Sequence, residues 1–124
     1  MKIAFFAAAL LGLLGVITGA LGAHALENVL DAGQMDSFET AVRFQMYHSF
    51  LLLSMGVLIK VFGQHQLLRL ATFSTLVGTL LFSGSIYLLV LTPIKVGIIT
   101  PIGGLLLILA WALVAIWAIR LSGK

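Results

Sequence analysis

The amino-acid sequence predicts an all-α protein, an integral membrane four-helix bundle that forms a single domain over residues 1–124. Hydrophobic residues make up 61% of the chain and charged residues 9%, against about 45–50% and about 25% in ordinary soluble domains. Seven Lys/Arg and four Asp/Glu are too few to cover a soluble surface. A spanning helix needs about 20 mostly apolar residues, and four stretches qualify: residues 3–23, 44–62, 70–91 and 97–119.

The first span carries small residues on one helical face. They follow one another at spacings of 4, 3, 4 and 3, and they are Ala8, Gly12, Gly15, Gly19 and Gly22. Small residues spaced in this way let a second helix approach closely. A cleaved secretory signal is the alternative, because Ala23-His24-Ala25 resembles a cleavage site after an apolar run. We expect a retained helix, since the run is longer than the roughly 7–15 residues of a signal core.

The connection over residues 24–43 predicts a short amphipathic segment between the first two helices. Apolar residues recur in it at helical spacing: Leu26, Val29 and Leu30. Gly33 can end that turn in the left-handed conformation. Asp36 and Glu39 then fit the N-cap and third position of a capping box, so we expect a new helix to begin at Asp36. An ordinary polar loop is the alternative.

The last two spans carry small and polar residues that predict helix packing. A stripe on the third span includes Gly78 and Ser85, and hydroxyls in membrane helices commonly bond to carbonyl groups of their own or a neighbouring helix. On the fourth span we expect Gly103 and Gly104 to allow close approach of another helix. Thr100 and Pro101 either begin that helix or lie where proline kinks it.

The charged residues predict which ends of the helices share a side of the membrane. Alternating spans place five cations on one side: Lys2, Lys60, Arg69, Arg120 and Lys124. Arg43 and Lys95 fall on the other side with all four carboxylates, which are Glu27, Asp31, Asp36 and Glu39. The positive-inside rule therefore predicts an inner (plasma) membrane protein with both termini in the cytoplasm. We read the net charge of +3 as a topology signal, because no basic-aromatic patch indicates nucleic acid.

Four sequence blocks, in order, resemble a small family of four-span membrane proteins. They are Gly19-Ala20-Leu21-Gly22-Ala23-His24-Ala25-Leu26, Phe38-Glu39-Thr40-Ala41-Val42-Arg43-Phe44-Gln45-Met46-Tyr47-His48, Leu81-Phe82-Ser83-Gly84-Ser85-Ile86-Tyr87 and Thr100-Pro101-Ile102-Gly103-Gly104. The chain is similar nearly end to end to the YgdD-like group, an uncharacterised family with bacterial inner-membrane members and eukaryotic relatives. The family often has tyrosine in place of Phe44. The resemblance implies a retained first helix and supplies no activity.

A polar cluster near the ends of the first two spans supplies the candidate binding residues. Its members are His24, Glu39, Arg43, Gln45, Tyr47 and His48. Glu39 and Arg43 stand four residues apart with the acid first, the favourable order for an ion pair on a helix. His24 and His48 have two interpretations, as ligands of a haem or metal or as hydrogen-bonding groups between helices.

The residues that are absent argue against an enzyme. The chain has no cysteine, and none of the four spans contains a carboxylate. It also has no phosphate-binding loop, zinc motif or nucleophile with an evident base, so we expect no catalytic residue, metal or cofactor. The sequence predicts a non-enzymatic structural or accessory protein that contacts the lipid bilayer and binds a lipid, a membrane protein or a second copy of itself. The alternatives are an oligomeric small-molecule or ion transporter, and an electron carrier that binds haem or metal through His24 and His48.

Overall fold

The computed structural model describes residues 1–122, which form four long α-helices. These are α1 (Lys2–Ala23), α2 (Ala32–Phe62), α3 (Gln66–Leu91) and α4 (Ile99–Ser122). All four are long and apolar enough to cross a membrane by length and composition. The predicted all-α, four-helix membrane class is therefore confirmed. Lys124, which the charge argument used, lies outside the described residues.

The second helix begins earlier than the sequence predicted because a different capping box closes it. The Asp31 carboxylate accepts a hydrogen bond from the backbone N–H of Gln34 at 2.8 Å, and the Gln34 side chain accepts one from the backbone N–H of Asp31 at 3.0 Å. Both partners of the box are thus in place five residues before Asp36. Gly33 and Asp36 consequently lie inside α2 rather than at a helix end.

The connection between α1 and α2 consists of turns rather than a separate amphipathic helix. The backbone N–H of Leu26 donates to the carbonyl of Leu21 at 2.9 Å, and that of Leu30 to the carbonyl of Leu26 at 3.1 Å. Leu26 and Leu30 are half-buried, whereas Val29 is 70% exposed. Because α1 ends at Ala23 and Asp31 already caps α2, the chain between the helices has room for about two helical turns, too short to be stable as an independent helix.

A side-chain cap precedes α3, and a backbone turn precedes α4. His65 caps α3, since its Nδ1 accepts a hydrogen bond from the backbone N–H of Leu67 at 3.1 Å. In α4 the backbone N–H of Ile99 donates to the carbonyl of Val96 at 3.0 Å. Pro101 is therefore the third residue of α4, in the first turn, where a backbone N–H would have no partner inside the helix.

The four helices form an antiparallel series in which each packs mainly on the next one along the chain. Helices α2 and α3 are the more buried pair, and α1 and α4 lie outside them. A core cluster joins α2 and α3 to α1 and α4 and comprises Ala4, Leu51, Met55, Ile59, Leu68, Ala71, Ala110 and Trp117. Two ends result. We call the end with Lys2, Lys60, Arg69 and Arg120 the basic end, and the opposite end, with the four carboxylates, the acidic end.

The small-residue face of α1 lies against α2. A methyl group added at Gly15 would lie 2.4 Å from the Met46 sulfur, and one added at Gly22 would lie 2.7 Å from the Phe38 ring. In the same contact, a methyl group added at Gly12 would lie 3.1 Å from the Ser49 hydroxyl, and one added at Gly19 would lie 3.5 Å from a Val42 methyl group. Glycine at these positions allows the two helices to pack closely.

Helices α3 and α4 approach each other at Gly78 and Gly103. A methyl group on Gly103 would lie 2.4 Å from the backbone nitrogen of Phe82, whereas one on Gly104 would lie 3.6 Å from the Phe82 ring. Of the two glycines that the sequence predicted for this contact, Gly103 is therefore the one on which the close approach depends. Towards the acidic end, the hydroxyl of Ser85 is hydrogen-bonded to that of Thr100 and so links the same two helices.

Candidate functional site

A buried glutamine on α2 joins three helices through hydrogen bonds. Gln45 is 4% exposed. Its Nε2 donates to the carbonyl of Leu11 on α1 at 2.8 Å, and its Oε1 accepts from the Tyr87 hydroxyl on α3 at 2.6 Å. The Thr18 hydroxyl lies 3.4 Å from the Tyr87 hydroxyl. This polar network therefore holds α1, α2 and α3 together towards the acidic end.

His48 lies on another face of α2 and pairs with α4. Its Nε2 accepts a hydrogen bond from the indole N–H of Trp111 at 3.1 Å, and its Nδ1 lies 2.7 Å from the carbonyl of Phe44. Because indole is only a donor, Nδ1 carries the proton and donates to that carbonyl. Both ring nitrogens of this neutral imidazole are occupied by helix packing, the arrangement expected of a histidine that bonds between helices.

The other members of the predicted cluster lie at the surface. His24 follows the last residue of α1 and is exposed, as are Glu39 and Tyr47. Within residues 1–122 Arg43 has no ion pair with Glu39; its guanidinium donates instead to the Thr40 hydroxyl at 3.1 Å. The structure thus brings Gln45 and His48 into the protein interior on different faces and leaves the remaining four members outside.

Serine hydroxyls connect neighbouring helices at three contacts. Ser49 of α2 donates to the carbonyl of Ala8 on α1 at 2.8 Å. On α3, Ser83 donates to the carbonyl of Ala41 at 2.7 Å, and Ser74 donates to the carbonyl of Leu106 on α4 at 3.1 Å. The threonines of α3 bond instead to carbonyls of their own helix: Thr72, Thr75 and Thr79. The presence of a hydroxyl in the sequence did not show whether the side chain would bond to its own helix or to a neighbouring one.

A lateral groove lies between α1 and α3, and we call it the α1–α3 groove. Its lower part has a volume of about 500 Å³ and begins at Lys2 on the basic end. The lining there is otherwise apolar and comes from both helices: Ile3, Phe6, Ala7, Leu10, Leu11, Leu14, Leu76 and Leu80. Several of these side chains are widely exposed, with Phe6 at 69% and Leu80 at 55%. The groove is therefore open sideways, towards the space that lipid occupies around a spanning helix.

The groove continues towards the acidic end and stops at the polar network. Its upper part has a volume of about 260 Å³ and shares Leu11, Leu14 and Leu80 with the lower part. Thr18, Gln45 and Tyr87 line its far end. Thr18 was absent from the predicted candidates, although a hydroxyl inside the first apolar span was a signal available in the sequence.

Comparisons with known proteins identify relatives over nearly the whole chain. The family model described as "Protein of unknown function (DUF423)" matches residues 18–104. The chain is 39% identical to UPF0382 membrane protein SAB0533 of Staphylococcus aureus over 99% of this chain and 100% of that protein. It is 33% identical to UPF0382 membrane protein YwdK of Bacillus subtilis over 97% and 98% of the two chains.

A relative from Escherichia coli is also similar over most of its length. The chain is 35% identical to UPF0382 inner membrane protein YgdD of Escherichia coli, over 94% of this chain and 89% of that protein. No solved structure matches the chain. The family model covers all four sequence blocks, and the relatives are named as membrane proteins. The chain therefore belongs to the DUF423 (UPF0382) family of membrane proteins.

Proposed function

We propose that this protein is a non-enzymatic accessory protein of the membrane that binds a lipid in the α1–α3 groove. One observation carries the proposal, which is the apolar cavity of about 500 Å³ that opens sideways between α1 and α3. Its volume lies within the range of about 300–1,000 Å³ that is usual for small-molecule sites. Its side chains offer dispersion contacts to a hydrocarbon chain and few groups for a polar ligand.

The shape of the groove favours an extended occupant. The lower part is lined from Lys2 to Leu14 along α1 and by Leu76 and Leu80 on α3. An empty concave surface loses the contacts that a neighbouring atom would make. A hydrocarbon chain that lies parallel to the helices restores these contacts over the whole length of the groove.

The polar network gives the groove a fixed upper limit. The hydrogen bonds from Gln45 to Leu11 and from Tyr87 to Gln45 tie α1 and α3 to α2 at that level. Below it, α1 and α3 present bulky apolar side chains to each other. This arrangement supports a site that is closed at the acidic end and accessible at the basic end, where lipid headgroups lie.

Charge supports an orientation for this site. The basic end carries Lys2, Lys60, Arg69 and Arg120, and the carboxylates lie at the other end. Under the positive-inside rule the basic end, and with it both termini, faces the cytoplasm of an inner (plasma) membrane. The lower part of the groove then lies in the cytoplasmic leaflet.

A bulky substitution inside the groove tests the proposal. Leu80→Trp places an indole where the two parts of the groove meet, and Leu105→Trp makes the same change on α4, at a residue that is 66% exposed. We expect wild type and Leu105→Trp, purified in mild detergent, to retain lipid in native mass spectra and Leu80→Trp to lose most of it. Equal retention by the two variants would contradict the proposal.

Two further measurements address the alternative functions. A Soret band after incubation with haem, lost in a His24 or His48 variant, would favour an electron carrier. Substrate-dependent flux in proteoliposomes, lost when Arg43 or His48 is replaced, would favour a transporter. For an accessory lipid-binding protein we expect neither signal while the bound lipid persists.

A further inference from the structure

We propose that the lipid in the α1–α3 groove is an anionic phospholipid whose phosphate is held between Lys2 and Arg69. The inference rests on the proposed function and adds the chemical class of the ligand. It follows from the positions of these two cations, from the charge of the surrounding end and from the length of the groove below the polar network.

The two cations lie at the basic end on different helices, one lining the groove and the other lining the cavity beside it. Lys2, the first residue of α1, lines the lower part of the groove. Arg69, in the first turn of α3, lines an adjoining cavity of about 150 Å³ that shares Ile3 and Leu76 with the groove. The two side chains therefore line neighbouring cavities at the basic end, Lys2 in the groove itself and Arg69 in the cavity next to it.

The chemistry of these groups suits a phosphate. The guanidinium of Arg69 is a planar fork of five N–H donors that can bind a phosphate with two parallel hydrogen bonds. One of these donors bonds to the Gln66 side chain, which orients the group on the helix. Lys2 adds a compact charge on a flexible stem, which can follow a headgroup at the interface.

The charge of the basic end has no carboxylate to offset it among the described residues. The four acids lie between residues 27 and 39, at the acidic end. Cations near a membrane attract anionic headgroups, and basic pockets between spanning helices bind such headgroups. The groove opening therefore favours an anionic over a zwitterionic lipid.

The length of the apolar lining matches one leaflet. From Lys2 to Leu14 a helix rises about 18 Å at about 1.5 Å per residue. Half of the hydrocarbon core of a bilayer is about 15 Å. An acyl chain that starts from a phosphate at Lys2 and Arg69 therefore ends near Leu14, at the level of Gln45, which bonds to the carbonyl of Leu11.

Arg120 provides a matched control. It has the same side chain as Arg69 and lies at the same end, but it lines a different cavity with Phe62 and Trp117 between α2 and α4. Arg69→Gln and Arg120→Gln thus remove the same charge from the basic end, and only the first removes it from the cavity that adjoins the groove.

The test uses phosphatidylglycerol and phosphatidylcholine with identical acyl chains, added in equal amounts to the detergent-solubilised protein. Native mass spectrometry reports the ratio of the two bound lipids. We expect wild type to favour phosphatidylglycerol several-fold, and we expect Arg69→Gln and Lys2→Gln each to lower that preference about fivefold, the usual effect of one cation near an anionic lipid surface. We expect Arg120→Gln to leave the preference unchanged.

The outcomes separate this inference from the proposed function. A wild-type ratio near one, or an equal decrease in Arg69→Gln and Arg120→Gln, would overturn the headgroup assignment. If Leu80→Trp then still removed both lipids, the groove would remain the lipid site. Retention of both lipids by Leu80→Trp would instead overturn the proposed function itself.

Discussion

The contact between α3 and α4 gives a sharp test of the packing, the substitution of Gly103 by alanine. The added methyl group would lie 2.4 Å from the backbone nitrogen of Phe82 and 2.9 Å from the carbonyl oxygen of Gly78. Ordinary contacts of such a carbon begin at 3.4 Å, so the nearest atom must move by about 1.0 Å. Both neighbours are backbone atoms, which cannot rotate away. The two helices must therefore move apart.

The cost follows from the contacts that this separation disturbs. Overpacking of a tight interior typically costs about 1–3 kcal/mol. Separation also lengthens the hydrogen bond from Ser74 to the carbonyl of Leu106, now 3.1 Å, and such bonds in membrane helices average about 0.6 kcal/mol. Alanine regains up to about 1 kcal/mol of helix propensity over glycine. We expect a net destabilisation of about 1–2.5 kcal/mol.

Gly104→Ala is the matched control. It makes the same propensity change one residue along, and its methyl group meets the Phe82 ring at an ordinary 3.6 Å. Reversible unfolding in mixed detergent and SDS micelles, followed by circular dichroism, gives the free energy of unfolding of each variant. We expect Gly104→Ala to be at least as stable as wild type. The free energy of unfolding of Gly103→Ala should be lower than that of Gly104→Ala by about 2 kcal/mol or more, which is the sum of the lost packing and the lost hydrogen bond. Equal stability would refute the assigned contact.

Three other perturbations have defined outcomes. A double-mutant cycle of Gln45→Leu and Tyr87→Phe should give a coupling free energy of about 0.6–1.7 kcal/mol, the range for hydrogen bonds between membrane helices. Additive effects of the two substitutions on the free energy of unfolding would show that the side chains do not interact. His48→Leu should destabilise by about 1 kcal/mol or more because it leaves the Trp111 indole without its acceptor, whereas His24→Ala should lie within about 0.5 kcal/mol of wild type in the same unfolding assay. A reporter that is active only in the cytoplasm, fused to the C-terminus, should be active; activity of a periplasmic reporter instead would contradict the charge-based orientation.

The existence of four helices could be predicted from apolar length alone, but their ends could not. The apolar stretches mark where a helix enters lipid, whereas α2 extends twelve residues before its apolar stretch, which begins at Phe44. The capping box of Asp31 and Gln34 decides that start. The sequence contains two candidate boxes at this point, and local pattern does not rank them because closure depends on the geometry of the neighbouring turn.

The candidate site was predicted in part, for a physical reason. Gln45 and His48 were singled out because polar groups at membrane depth are costly, and both are buried with partners. Their partners come from helices far away in sequence, Tyr87 for the first and Trp111 for the second. Periodicity along a single helix says which residues share a face, but it does not say which neighbour lies opposite that face.

The distribution of small residues explains why an apolar groove forms between α1 and α3. Without a hydrophobic driving force in lipid, helices associate through close packing and hydrogen bonds. Helices α1 and α2 have Gly15 and the bond from Ser49 to Ala8, α2 and α3 have the bond from Ser83 to Ala41, and α3 and α4 have Gly78 opposite Gly103. Below the polar network, α1 and α3 face each other largely through leucine, isoleucine and phenylalanine side chains. Such side chains hold the helices apart and gain as much from a lipid chain as from each other, so this contact is the one that lipid can enter.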